Sequence, residues 1–407
     1  MATRVLVACQ GHPRLNRGGN EIAAHRLFTE LEASADYEAW FLGCASPDVA
    51  GVELRGRLTQ PFSEREYIYA PSASDWFGFA NRDPQFPAEF TALLAELQPD
   101  VVHFHGFGNL GVEAFAIARR AALGARILLT LHEYAAICAH HGQMVKRPSR
   151  ALCPAAGAQA CARCYPERGP TGFYLRDTYI RHFLGSVDHF IAPSAFLRRR
   201  FIEWGIAPER ITHLPNVIAP GSGVAPPREA DGMLRVGFFG KVTPMKGIGL
   251  LMDAARLLHE GGDRTLRIEV HGTLDGQPED MRAETEQALR RASPNVRVRG
   301  AYDPADVDRL MRGMDAIVVP SIWWENAPVV IEEARRNGRA VICAGIGGMA
   351  EAVRDGVDGF HFEAGDAGSL VRLLEGLAAL PYRLSELHLN GKTDFGVTGH
   401  AALYDIA

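Results

Sequence analysis

No apolar run in this sequence approaches the roughly 20 residues that a membrane-spanning helix requires. The first apolar segment, Val5 to Cys9, follows Met1-Ala2-Thr3-Arg4 and is also too short for the core of a secretory signal. Charge of one sign is not in excess: 43 Lys and Arg face 48 Asp and Glu, a formal net charge of -5, which argues against a dedicated nucleic-acid binder. Cysteine is scarce and odd in number. Seven are present, with Cys9, Cys44 and Cys343 scattered, so a secreted disulfide framework is excluded and reduced thiols in the cytoplasm are expected. Internal repeats and low-complexity tracts are absent as well.

What the chain does have is size and alternation. Its 407 residues exceed what one hydrophobic core ordinarily organises, and 47% hydrophobic with 22% charged residues suits a soluble enzyme of two domains. Short apolar runs alternate with helical patterns at Val5 to Ala8, Ala39 to Leu42, Val101 to Phe104, Ile127 to Leu131 and His189 to Ala192. The second half repeats the alternation at Arg235 to Phe239, Leu266 to His271, Val296 to Arg299, Ala316 to Val319 and Ala340 to Cys343. Parallel sheets with crossover helices follow, hence an α/β fold of two doubly wound, Rossmann-like domains. Ala219-Pro220-Gly221-Ser222-Gly223 and Pro226-Pro227 cannot continue either core and read as the linker. The expected domains are 1–217 and 218–385, with 386–407 as a C-terminal segment packing back on the first.

Ligands of such sheets bind beyond the carboxyl ends of the strands, so the loops there carry the chemistry. Pro320-Ser321 leads into Trp323-Trp324-Glu325-Asn326-Ala327-Pro328 and then a helical pattern with Glu332 and Glu333. Pro328 is expected at the first helical position, with Glu325 just before the helix and Glu333 about a turn and a half inside it. A helix N-terminus attracts an anion and carboxylates bind hydroxyls, a combination that suits a phosphate-bearing, polyhydroxylated ligand such as a nucleotide sugar. The competing reading is a solvated acidic helix, which the crowding tryptophans and proline disfavour. Gly240-Lys241-Val242-Thr243-Pro244-Met245-Lys246-Gly247 follows another strand, and its two lysines can neutralise a diphosphate unless they are merely solvated. In the first half, Asn16-Arg17-Gly18-Gly19-Asn20-Glu21 opens a helix; the paired glycines permit close backbone approach to a ligand or simply make a turn. His132 follows a strand in Leu129-Thr130-Leu131-His132-Glu133-Tyr134. His103 and His105 alternate along a strand and are expected on opposite faces, at least one of them structural.

Gly240-Lys241 with Lys246-Gly247, Val318-Val319-Pro320-Ser321, Glu325 with Glu333-Ala334, Gly347-Gly348-Met349-Ala350-Glu351 and Asp355-Gly356-Val357-Asp358-Gly359 together resemble the family-four retaining glycosyltransferases, the group 1 glycosyltransferases of GT-B fold. The likeness runs in order over nearly the whole chain. It implies two Rossmann-like domains facing a deep cleft, the first binding an acceptor and the second a nucleotide sugar. It implies that Glu325 lies by the donor sugar's hydroxyls, that the backbone N–H groups of Asn326 and Ala327 lie close by, and that Glu333 holds the ribose. Lys246 matches the family's phosphate-binding lysine. Lys241 stands where an arginine is usual, so bidentate contact to the diphosphate is lost there. By the same resemblance, Gly19 approaches the donor phosphate or the acceptor and His132 contacts the reacting sugar, and Gly18 and Gly240 are expected beside the donor.

The chemistry so implied is transfer of a hexose from UDP- or GDP-sugar to an acceptor hydroxyl with retention and without a metal ion. Lys241 and Lys246 would stabilise the departing diphosphate, which itself helps deprotonate the acceptor. A saccharide or lipid-linked saccharide acceptor, and a place in cell-surface polysaccharide or glycolipid synthesis, follow from the family's breadth. Two other readings stay open: a GT-B epimerase acting on the nucleotide sugar, and a nucleotide-sugar-binding protein without catalysis.

Cys138, Cys153, Cys161 and Cys164 fall in a Pro-, Ala- and Gly-rich insertion at about 135–170. Cys161-Ala162-Arg163-Cys164 has a zinc-knuckle spacing, and the four thiolates would complete a structural zinc site that orders the insertion. Four reduced thiols, a single disulfide and an iron–sulfur cluster are the alternatives, and His140 or His141 can replace one cysteine. Phe196-Leu197-Arg198-Arg199-Arg200-Phe201-Ile202 reads as a half-buried helix with solvated arginines, or as a contact to anionic lipid at the inner membrane face.

Overall fold

The computed structural model describes residues 2–16, 18–45, 55–147, 149–217, 232–387 and 398–404. The chain divides into two compact units, Met1–Ala219 with Phe395–Ala407, and Pro220–Asp394. The stretch expected as the linker, 219–227, lies outside the described residues.

The first unit is built on β1 (Thr3–Cys9), β2 (Tyr37–Cys44), β3 (Leu58–Ser63), β4 (Glu66–Tyr69), a small ribbon of β5 (Ser74–Asp75) and β6 (Ala80–Asn81), β7 (Val101–His105), β8 (Arg126–Thr130), β9 (His189–Ala192) and β10 (Ile211–His213). Eight of them form one sheet in the order β10-β9-β8-β7-β1-β2-β4-β3. Only the β3–β4 pair in this sheet is antiparallel. The second unit holds β11 (Leu234–Phe239), β12 (Leu266–His271), β13 (Val296–Gly300), β14 (Ala316–Val319), β15 (Ala340–Ala344) and β16 (Gly359–Phe362), all parallel, in the order β13-β12-β11-β14-β15-β16.

These strands form because their residues are apolar on both faces, which only a sheet covered by helices on each side can accommodate. β7, β14 and β15 are buried at every position. Each fully buried Val or Ile there contributes roughly 1.5–3 kcal/mol relative to exposure. β13, at the edge of its sheet, is instead largely exposed and carries Arg297 and Arg299, a charged edge that resists pairing with another chain. Every strand expected from the apolar runs is present. The β3–β4 hairpin was not legible, because Gln60, Pro61 and the charged Glu64-Arg65 turn break the apolar pattern.

His103 and His105 do not lie on opposite faces. Positions two apart in a strand share a face, and their rings stand 4.5 Å apart. His103 is fully buried between Thr130 Oγ1 at 2.7 Å and Tyr404 Oη at 2.9 Å. Tyr404 thereby ties the C-terminal residues into the first unit's core, beside Val5, Val101 and Val217. Tyr404→Phe is expected to cost about 1–2 kcal/mol, since it leaves His103 Nδ1 without its partner; urea denaturation checks this. The Phe196–Ile202 segment lies in the helix Ala195–Trp204, with Leu197 and Phe201 buried. Arg198 donates to the carbonyl oxygens of Ile211 and Pro208, and Arg200 to that of Pro154, so these cations are engaged within the fold. Among the described residues no helix is long and apolar enough to cross a membrane.

Candidate active site

In both sheets the chain reverses its direction of growth next to the first strand. It leaves β11 for β12 on one side and returns with β14 on the other, so β11 and β14 flank the switch point where ligands of open α/β sheets bind. The loops at this point interlock. Gly240 (φ 121°) turns the chain out of β11 and Gly247 (φ 78°) turns it into the helix Ile248–Glu260. A Cβ on Gly247 would lie 1.8 Å from the carbonyl oxygen of Pro320, and one on Gly272, after β12, 1.8 Å from that of Gly240. Only glycine permits both the left-handed turn at Gly247 and this contact. The Ile322 N–H donates to the Met245 carbonyl at 3.0 Å, closing the two loops together.

Glu325 lies at the centre of this arrangement and is buried, 4% exposed. Three donors converge on its Oε1: Lys246 Nζ at 2.6 Å, Ser321 Oγ at 2.7 Å and Trp323 Nε1 at 2.8 Å. Charge-assisted bonds of this kind fix both partners. Lys246 keeps 32% of its side chain exposed, so its ammonium, held against a buried carboxylate, still reaches solvent. From the far side the Gly348 N–H donates to the Glu325 carbonyl at 2.8 Å, and a Cβ on Gly348 would lie 1.5 Å from the Asn326 carbonyl oxygen.

The helix that follows runs Val329–Arg336, and Pro328 (ψ 117°) is its N-cap rather than its first residue, because its extended ψ places it outside the helix. Of the two acids on it, Glu332 is committed to Arg335 at 3.1 Å. Glu333 instead acts on Tyr302, whose phenol is pushed up by burial and by that negative charge. Tyr302 follows β13, so Glu333 is directed toward the carboxyl ends of the strands. Lys241 has a different neighbourhood from Lys246: its Nζ sits 3.7 Å from where a Cβ on Gly276 would be, and it makes no ion pair among the described residues.

In the first unit the switch point lies where β1 and β7 adjoin. Gly18 caps the helix Gly19–Glu32, and Glu21 in its first turn is buried with its carboxylate against Gly11 and Gly18, where added Cβ atoms would come within 2.6 and 2.2 Å of it. His132 Nε2 pairs with His105 Nδ1 at 2.9 Å. Burial pushes the His132 imidazole down to about 3, so it works as a neutral hydrogen-bonding group. The sequence names Glu21, Ser321 and Trp323 only as parts of motifs, and Gln10 and Tyr302 not at all; only their positions just after strands or in a helix's first turn mark them.

The four cysteines expected at a zinc site are gathered round one pocket but do not stand at ligand spacing. Tetrahedral coordination with Zn–S of about 2.3 Å puts sulfurs within about 4 Å of one another. Cys138, Cys153, Cys161 and Cys164 line a common pocket of about 400 Å³, yet among the described residues neither they nor His140 and His141 contribute to a group of three ligand atoms within 4.8 Å. Backbone groups hold the thiols singly: Cys153 Sγ lies 3.4 Å from the Ala155 carbonyl, and Cys161 Sγ accepts from the Gly157 N–H at 3.5 Å. Arg176 ties the start of the insertion down, donating to the Ala136 carbonyl at 2.8 Å and to that of Ala135. The group that does meet the distance is His12, His25 and Glu66. Both imidazoles share Glu66 Oε2 through Nε2 at 2.9 Å, and His12 Nδ1 accepts the Arg14 N–H at 3.2 Å. That tautomer places the hydrogen on His12 Nε2, so the trio is a hydrogen-bonded staple under the β1 loop.

The family model for Glycosyltransferase Family 4 matches residues 17–221, and that for Glycosyl transferases group 1 matches residues 234–379. The chain is 29% identical over 238 residues to D-inositol 3-phosphate glycosyltransferase 1 of Catenulispora acidiphila, covering 54% of each. It is 27% identical over 187 residues to lipopolysaccharide 1,2-N-acetylglucosaminetransferase of Salmonella typhimurium, covering 42% of this chain and 48% of that one. The chain thus spans about half the length of the curated relatives it matches. Among solved structures it superposes on HepE of Anabaena in complex with UDP and glucose with TM-score 0.68 at 16% identity, over 99% of this chain and 100% of that one. Sucrose-phosphate synthase of Thermosynechococcus elongatus gives TM-score 0.67 at 16% identity, over 99% and 95%. The fold is therefore GT-B, and the chain belongs to the group 1 glycosyltransferases of glycosyltransferase family 4.

Proposed function

We propose that this protein transfers a hexose from a nucleoside-diphosphate sugar, with UDP or GDP as the leaving group, to an acceptor hydroxyl, with retention at the anomeric carbon and no catalytic metal. The observation that carries the reading is the cluster of Lys246, Glu325, Ser321 and Trp323 at the switch point of the second unit. In it, Lys246 takes up charge as the bond from anomeric carbon to diphosphate breaks, and Lys241 assists from the neighbouring loop. Glu325, with the backbone N–H groups of Asn326 and Ala327, orients the sugar's hydroxyls, and Glu333 holds the ribose. Gly240 gives the diphosphate room, and Gly18 and Gly19 open the first unit's loop toward the substrates. His132, kept neutral by burial, hydrogen-bonds the reacting sugar without adding positive charge beside a developing oxocarbenium ion. The acceptor is a saccharide or lipid-linked saccharide of the cell surface, and the enzyme works in the cytoplasm, where its donors are made.

The test is a screen of the purified protein against UDP- and GDP-sugars by thermal shift, followed by assay of slow donor hydrolysis. A donor that raises the melting temperature is expected, with Glu333→Ala weakening it about 10- to 100-fold, as lost charge-assisted bonds to a ribose diol would. Unchanged donor affinity in Glu333→Ala removes the ribose assignment. Formation of an epimeric nucleotide sugar without acceptor identifies an epimerase instead, and donor binding with no turnover under any acceptor identifies a binding protein.

A further inference from the structure

The first unit's switch point carries a second set of groups that the donor chemistry does not use. Gln10 follows β1 and is fixed at both ends: its N–H donates to the His105 carbonyl at 3.4 Å, and its side-chain oxygen accepts the Gly108 N–H at 3.0 Å. That leaves its amide NH2 able to donate, and the carboxyl of Glu133, which follows β8, is near enough for the amide to favour its charged form. The surrounding positions are glycine. Added Cβ atoms on Gly106 and Gly108 would come 2.8 and 2.9 Å from Gln10 Oε1, so only glycine at these positions leaves room for the amide.

Over this amide stands Trp76. Its Cζ3 lies 3.3 Å from the Cβ position of Gly108, yet the residue is 58% exposed. A surface tryptophan on a loose loop would be unremarkable, but this loop is held at several points. Asp75 Oδ1 accepts the N–H groups of Phe77 and Gly78 at 3.0 and 3.4 Å, and Arg176 Nε donates to the Phe77 carbonyl at 2.7 Å. The Val112 N–H donates to the Phe79 carbonyl at 2.8 Å, with Phe79 itself in the left-handed region at φ 53°. Two polar atoms beside Gln10 also lack a hydrogen-bonding partner among the described residues: Nδ2 of Asn20, 2.9 Å from the Gly106 Cβ position, and Nε2 of His105, a residue only 2% exposed. An exposed aromatic plate beside an amide, with a carboxyl and two unpartnered polar atoms close by, matches a ligand with an apolar face and a rim of hydroxyls.

We propose that Gln10, Trp76 and Glu133 form a saccharide-binding subsite in the first unit, the indole stacking on the apolar face of a sugar ring while the amide and carboxyl bracket its hydroxyls. Calling that sugar the acceptor rests on the transferase reading; the binding itself does not. Burial and the negative charge of Glu21 push the Glu133 carboxyl up to about 7, against the opposing hydrogen bond from Gln10. Near neutrality it therefore exchanges between donating to and accepting from a hydroxyl, with Glu21 the charged group facing it and His105 and His132 neutral neighbours.

Saturation-transfer NMR with the full chain and methyl glycosides of glucose, galactose, mannose and N-acetylglucosamine, with and without UDP, tests this. At least one glycoside is expected to receive saturation at ring protons, with affinity falling about 10- to 30-fold in Trp76→Ala, a loss typical of a central aromatic anchor. Its affinity in the wild type is expected to change through pH of about 7 and to become flat in Glu133→Gln. No transfer to any of the glycosides, or unchanged affinity in Trp76→Ala, overturns the proposal. Trp76→Ala and Glu133→Gln are expected to keep the wild-type thermal shift with the nucleotide sugar, whereas Lys246→Ala loses it. A wild-type chain that binds glycosides but no nucleotide sugar sinks the transferase reading and leaves the subsite standing.

Discussion

Lys246→Ala is expected to lower kcat/KM for sugar transfer by about 100- to 1,000-fold, the usual effect of deleting one preorganised group that meets developing charge. The geometry makes the lysine hard to replace. Its ammonium is 2.6 Å from a carboxylate oxygen that already accepts from Ser321 and Trp323, so its position is set by the residues of the Pro320–Glu325 loop. Lys246→Arg keeps the charge but spreads it over a planar fork that cannot occupy the ammonium's place, so only partial recovery is expected. The alanine variant also leaves Glu325 buried with neutral donors alone. With Lys246 about one-third exposed, the cost to stability is about 1–2 kcal/mol once screening is included. Steady-state kinetics with the donor found by thermal shift, alongside urea denaturation, separates the two effects. A fall of less than about tenfold in kcat/KM, worth only 1.4 kcal/mol, would mean that the lysine serves the fold rather than the leaving group.

The parts of the molecule legible in the sequence are those governed by local pattern. Strands buried on both faces announce themselves as runs such as Val101-Val102 and Ala316-Ile317-Val318-Val319, and the alternation with helices fixes the parallel topology. Lys246 and Glu325 were legible because each follows such a run. That they share one oxygen was not, since they are 79 residues apart and meet only through the switch in strand order. The juxtaposition of Gln10, Glu133 and Trp76 was not legible for the same reason: the segments after β1, after β8 and between β5 and β6 are far apart in the chain, and no spacing motif joins them. The ligand spacing of the zinc reading was not legible for a different reason. Cysteine spacing reports that thiols can be neighbours, whereas their distances depend on Arg176 and on backbone contacts that spacing does not encode.

Gly247→Ala is expected to destabilise the second unit by about 3–4 kcal/mol and to abolish donor binding with it. Two costs combine. An alanine at φ 78° pays for a left-handed conformation that glycine adopts freely, about 1–2 kcal/mol. Its methyl group would also stand 1.8 Å from the Pro320 carbonyl oxygen, a rigid backbone atom that can yield only by moving the Pro320–Glu325 loop. For a unit of this size the sum corresponds to a melting temperature lowered by about 6–16 °C. Because that loop carries Ser321, Trp323 and Glu325, the nucleotide-sugar thermal shift should disappear even at temperatures where the variant is folded. Gly249→Ala, two residues on, is the matched control: it lies within the helix Ile248–Glu260 with open space around its Cβ position. There the substitution is expected to be neutral or to stabilise by about 0.4–1 kcal/mol through reduced freedom of the unfolded chain. Calorimetry of the two variants decides the point. If Gly247→Ala melts within about 2 °C of Gly249→Ala, a difference of roughly 1 kcal/mol or less, then the contact of Gly247 with Pro320 does not hold the two loops of the donor site together.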